Sequence, residues 1–179
     1  MNKHVLKAIF RRSLLVYLVL LLCTGCQIKT SAPIAHRFEV DLLRTKDYPD
    51  GGRFVLGDSI SKPIIINFWF PSCPPCVEEM PDLNEFYHAN KTNVDVLGIQ
   101  LIGLDSLSDG QEFVNNMNIA YAVGPDLDGS IAVNYSVHLF PTTIFVDQTG
   151  DITRSWQGII SKNEIEAILN SITDIETEK

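Results

Sequence analysis

Cys73-Pro74-Pro75-Cys76 sits where an unbroken apolar run gives way to a helical pattern, and no other stretch limits the fold so tightly. Ile64 to Phe70 is rich in β-branched and aromatic residues and reads as a buried central strand. Behind it, from Val77 to Tyr87, Met80, Leu83, Phe86 and Tyr87 recur at helical spacing and read as core. The two cysteines therefore fall where a strand's carboxyl end becomes a helix's first turn. There the first backbone N–H groups lack partners and the macrodipole places partial positive charge. A thiolate at Cys73 gains from both, so its pKa is expected below the roughly 8.5 of a free thiol. Cys76 lies nearly a turn deeper. The expected roles follow: Cys73 is the exposed attacking sulfur, and Cys76 the resolving sulfur that breaks a mixed disulfide. Pro74 and Pro75 fix φ at the helix start, where a missing N–H costs little.

Phe68-Trp69-x-x-x-Cys73-Pro74-Pro75-Cys76-x-x-Glu79-Met80-Pro81 resembles the TlpA/ResA branch of thioredoxin-like proteins, and the similarity runs from about Ala35 to Asn170. Members of that branch are extracytoplasmic thiol–disulfide oxidoreductases. The resemblance implies an α/β chain with the thioredoxin fold, an N-terminal β-hairpin and a central strand–helix insertion. It also implies a redox disulfide between Cys73 and Cys76, with no cofactor and no metal. Asn67 stands where thioredoxins carry a buried acid, and an amide cannot take the proton that Cys76 must lose. Glu79, on the same helix face as Cys76, is the candidate for that role, since a glutamate here in ResA-like proteins tunes the pair; the plainer reading is a solvated helix acid like Glu78. In the family a cis-proline at the position of Pro141 stands opposite the dicysteine, and the residue before it offers backbone groups to an extended substrate. Trp69, Phe140 and Pro141 are thus the expected substrate-binding residues. Ser72, where an aromatic residue is common, and the bulky Leu139-Phe140 pair depart from the family pattern and reshape the rim.

Lys3, Lys7, Arg11 and Arg12 precede an apolar run from Leu14 to Leu22, then Cys23-Thr24-Gly25-Cys26. A basic start with so short an apolar segment reads as a signal peptide rather than a spanning helix. Thr24 and Gly25 before Cys26 resemble a bacterial lipobox, with Cys23 where leucine is usual, which implies cleavage after residue 25 and lipidation at Cys26. Ordinary secretory cleavage or an uncleaved anchor would export the domain equally. The expected organisation is a lipoprotein signal peptide at 1–25, a lipidated tether at 26–34, a thioredoxin-like domain at 35–173 and a polar tail at 174–179. Beyond Gly25, ten basic residues face all 22 acidic ones, a formal charge of −12. Such a domain is a poor nucleic-acid binder and stands off anionic headgroups, held at the membrane by its lipid. With Cys23 removed and Cys26 acylated, the only free pair is Cys73 and Cys76. So small a loop constrains an unfolded chain little, so the pair reads as redox-active rather than structural.

Phe38-Glu39-Val40-Asp41-Leu42 alternates and, with Asp50-Gly51-Gly52 and Arg53 to Leu56, predicts the hairpin. Pro81 falls inside the first helical pattern. Val94 to Leu101 predicts a second strand, parallel to the first. Asp105 to Gly110 reads as loop, followed by a helix with Phe113, Val114 and Met117, a short strand at Tyr121-Ala122-Val123, and a helix with Ile131, Ala132 and Tyr135. Asp126 and Asp128 read as helix caps rather than a calcium loop. Leu139 to Val146 and Ile152 to Trp156 read as strands around a turn at Asp147 to Gly150, and Ser161 with Glu164 forms a capping box for the last helix.

The expected function is reduction of disulfides in extracytoplasmic partner proteins, with a membrane electron donor of thiol-reductase type. The family's typical settings are c-type cytochrome maturation and copper-site assembly. An oxidase or isomerase would use the same residues at a higher potential. A Cu(I) carrier would use the two thiolates, with His138 the only histidine nearby. A peroxidase would need a peroxidatic cysteine in another setting.

Overall fold

The computed structural model describes residues 32–57 and 59–177. The predicted signal peptide, Cys23 and the lipidation site Cys26 lie outside the described residues. Phe38–Leu42 (β1) and Gly52–Leu56 (β2) form the expected antiparallel hairpin, with Phe38 opposite Leu56. Ile64–Trp69 (β3) is buried at every residue, as a continuous apolar run requires when both faces are covered. Pro74–Asn90 (α1) follows, starting earlier than its apolar spacing suggests and running on through Pro81. Asp95–Leu101 (β4), Leu107–Asn116 (α2), Ala122–Asp126 (β5) and Ser130–Asn134 (α3) come next, then Thr142–Val146 (β6), Ile152–Gln157 (β7) and Lys162–Thr177 (α4).

The five-stranded sheet has the order β5-β4-β3-β6-β7. β3 pairs parallel with β4, and β4 with β5, because helical crossovers connect them. β6 enters antiparallel to β3, with Thr143 opposite Asn67, and β7 returns antiparallel to β6. Side-chain alternation along β3 divides the core. Ile65 and Trp69 face a cluster with Cys76, Met80, Leu83, Phe86, Val114, Ile165 and Leu169. Ile64, Ile66 and Phe68 face a second cluster with Val40, Leu56, Ile131 and Tyr135. The hairpin closes over β5 only because position 124 is glycine: a Cβ there would lie 2.5 Å from a Val40 methyl.

Several expectations are corrected. α2 starts at Leu107, inside the expected loop, because Ser106 and Asp109 form a capping box. The strand expected at Tyr121 to Val123 extends to Asp126. Pro33 and Ile34, placed in the tether by the sequence, join the domain: Ile34 bridges Asp151, and the N–H groups of Ala35 and Ile152 donate to Gly150 (2.8 Å) and Pro33 (2.7 Å). The polar tail expected from Asp174 is helical as far as Thr177, because α4 continues through it.

Candidate active site

Cys73 is the N-cap of α1 (φ −94°, ψ 101°), with prolines at the first two helical positions. Its N–H donates to the Phe70 carbonyl (3.1 Å), closing the turn out of β3. Its Sγ accepts from the Cys76 N–H (3.3 Å), so the sulfur occupies the place of an ordinary capping oxygen. The pair is closed as a disulfide, S–S 2.03 Å. Cys73 is 4% exposed and Cys76 fully buried, which corrects the expectation of an exposed attacking sulfur. Both sulfurs belong to the apolar cluster under the sheet's end, with Phe70 and Phe140 packed against that cluster. Cys73 is nonetheless the outer of the two.

The Phe140–Pro141 peptide bond is cis, as expected. Register places it beside the end of β3, where the Phe70 and Phe140 rings meet edge-on at 5.3 Å. The Pro141 carbonyl accepts from Gly158 (2.9 Å), and the Thr142 hydroxyl donates to the Leu139 carbonyl (2.7 Å), so neighbouring loops hold the proline in place. Leu104, Leu139 and Ile159, from three loops at this end of the sheet, are exposed. Trp69 is different. It is fully buried with its ring 5.1 Å from Phe113, so it packs the strand's inner face and does not line the rim.

Glu79 is 1% exposed, which rules out the solvated reading; Glu78 beside it is exposed. Glu79 Oε2 accepts from the Ile160 N–H (3.0 Å), and Oε1 meets the Asn67 amide nitrogen at 2.6 Å. The same nitrogen reaches Thr143 Oγ1 (3.0 Å), and Asn67 Oδ1 is buried with no partner. Burial dominates the two hydrogen bonds and pushes the Glu79 pKa up to about 7. A separation of 2.6 Å is short for N–H···O and ordinary for O–H···O. Turned over, the amide would offer its oxygen to a protonated Glu79, so this pair can satisfy either state of the acid.

Sequence reasoning missed three contributors. Thr143 and the Ile160 N–H complete the Glu79 site from strands and loops distant in the chain. Asp105 accepts from both the backbone and the hydroxyl of Ser72, the residue before Cys73. Only the Ser106-x-x-Asp109 spacing signalled that this loop is ordered.

A family model described as AhpC/TSA matches residues 34–155. The thiol–disulfide oxidoreductase ResA of Bacillus cereus is 31% identical over 127 residues, covering 69% of this chain and 71% of that protein. The chain belongs to the AhpC/TSA family, in its ResA-like branch. Among solved structures, Mycobacterium tuberculosis DsbF, in mixed oxidised and reduced forms, superposes with a TM-score of 0.67 at 27% identity, over 79% of this chain and 98% of that one. A secreted disulfide oxidoreductase of M. tuberculosis homologous to E. coli DsbE gives 0.63 at 26% identity, over 75% and 95%. This ResA-like chain is thus a thiol–disulfide oxidoreductase of thioredoxin fold, with Cys73 and Cys76 as its exchanging pair.

Proposed function

We propose that this oxidoreductase works as a reductase outside the cytoplasm, tethered by lipid on Cys26. The observation that carries the reading is a disulfide at a helix N-cap, with a cis-proline entering the neighbouring strand beside the end of β3 and a buried carboxylate one turn on from the inner cysteine. A basic, apolar leader ending in Thr24-Gly25-Cys26 supports export, as does likeness to a protein described as secreted. In the reaction, the Cys73 thiolate attacks one sulfur of a partner disulfide, forming a mixed disulfide and releasing the partner's other sulfur as a thiolate. Cys76 gives its proton to Glu79 and attacks Cys73 Sγ, closing the Cys73–Cys76 bond and expelling the partner's second thiolate. Two electrons pass to the partner. A membrane dithiol donor restores the pair, and Glu79 returns its proton to Cys76. Phe140 and Pro141 hold the partner segment in extended form. Proteins whose cysteines must be reduced before they accept haem or copper are the partners that fit.

The test uses the full chain in detergent. Reduced wild type should turn over a neutral disulfide; Cys73→Ser should abolish turnover, and Cys76→Ser should accumulate mixed disulfides. Retained turnover in Cys73→Ser overturns the roles. A reduction potential near that of protein oxidants, about −120 mV, would overturn the direction, because a reductase lies nearer the −270 mV of thioredoxin.

A further inference from the structure

The residue just before the outer cysteine is gripped by a carboxylate. Ser72 donates its N–H (3.0 Å) and its hydroxyl (2.7 Å) to Oδ2 of Asp105, in the loop between β4 and α2. That loop is pinned from below. The buried Gln100 side chain donates to the Ser106 carbonyl (2.9 Å), and glycine at 110 leaves the room, since a Cβ there would lie 1.9 Å from Gln100 Oε1. Ser106 then starts α2 through its capping box with Asp109. The carboxylate at 105 therefore has a fixed place against Ser72, the residue before Cys73.

Two neutral donors orient a carboxylate without cancelling its charge. Elsewhere Glu39, Asp41, Asp47, Glu85 and Asp95 each meet a lysine or arginine at 2.6–3.4 Å. Among the described residues no ion pair involves Asp105. A partner disulfide must bring a sulfur into bonding contact with Cys73 Sγ, so the residues flanking that sulfur pass close over Ser72. At such range, inside a Debye length of about 8 Å at physiological salt, an uncompensated charge acts on them with little screening.

We propose that Asp105, held by Ser72, is a specificity-determining residue of the exchange reaction. It favours partner disulfides flanked by cationic residues and disfavours acidic ones. Serine at 72 adds a hydroxyl donor (2.7 Å) to the backbone N–H that any residue but proline would offer, where an aromatic side chain would add bulk. The proposal rests on Cys73 being the nucleophile, and it adds a substrate class to that reading.

The experiment measures second-order rate constants of the reduced full chain in detergent with three disulfide peptides that differ only in having Lys, Gln or Glu beside each cysteine. At low salt the Lys peptide should react roughly three- to tenfold faster than the Glu peptide, and the ratio should shrink toward one in about 1 M salt. Asp105→Asn keeps an oxygen for Ser72 and loses the charge, so most of the preference should vanish. Asp105→Glu keeps the charge and should keep the preference, which maintains the test if the asparagine variant does not fold. A wild-type ratio near one, an unchanged ratio in Asp105→Asn, or its loss in Asp105→Glu overturns the proposal. Failure to turn over even the Gln peptide would break the reading of Cys73 instead, and the two failures are distinct.

Discussion

Glu79 and Asp126 are equally buried, each 1% exposed, and are held in opposite ways. Asp126 accepts from the N–H groups of Ile131 (3.3 Å) and Ala132 (2.8 Å), two of the donors that the start of α3 leaves without helical partners. Neither donor can turn away unless the helix unwinds. Glu79 has one such fixed donor, Ile160, and one adaptable partner, the Asn67 amide, which can present nitrogen or oxygen. Burial by itself therefore does not make a proton site. Of these two acids, Glu79 alone has a partner that can serve it with and without the proton.

The largest effect expected from this contrast is a pH-dependent one at Glu79. Its pKa is 4.5 unfolded and about 7 folded, so the folded protein holds the proton more tightly. The stability this group lends is full below pH 4.5 and is lost as pH rises through about 7, a swing of about 3 kcal/mol. Glu79→Gln resembles the protonated acid and should lack that swing. Urea midpoints of the oxidised proteins from pH 4.5 to 8 should show the variant gaining on wild type by that amount; parallel curves would show that Glu79 does not take up the proton. In the reduced form the same variant should shift the pH profile of Cys76 alkylation. Asp126→Ala comes next. It strands two buried N–H groups and should cost about 2–3 kcal/mol, with the thiol profile unmoved. A shifted thiol profile in that variant would mean that Asp126 also couples to the redox pair, and the contrast would fail.

Local features carried the legible part of the molecule. The β3 apolar run, the dicysteine and the helix behind it are contiguous, so their junction could be read directly, and the Ser161–Glu164 box was equally self-contained. Asp126 as a cap was legible for the same reason, being five and six residues from its donors. The Glu79 site was not. Its fixed donor lies 81 residues away and is a backbone N–H, which leaves no mark in the side-chain sequence. Ser72 and Asp105 are 33 residues apart, brought together only by the parallel pairing of β3 and β4. Trp69 does not reach the rim, because alternation along β3 turns it inward, toward Phe113. Cys73 is more buried than its place at a helix start implies, because it belongs to the apolar cluster against which Phe70 and Phe140, from separate strands' ends, are packed.

The smallest effect tests whether the Asn67 amide turns at all. Thr143 stands opposite Asn67 on β6, fully buried, with its hydroxyl 3.0 Å from the amide nitrogen. A hydroxyl accepts from N–H₂ or donates to a carbonyl with equal ease, so Thr143 suits either orientation of the amide. Thr143→Val keeps the shape and removes the hydroxyl. If the amide turns over as Glu79 changes charge, the hydrogen bond is lost in both states, and stability should fall by about 1 kcal/mol at pH 5 and pH 8 alike. If the amide is locked with its nitrogen toward Glu79, a protonated acid at that oxygen would face a donor rather than an acceptor. The valine variant would then free the amide to relieve that clash, and its cost would shrink at pH 5 while remaining at pH 8. Denaturant midpoints at the two pH values separate these outcomes, and only the even loss supports an amide that follows the proton.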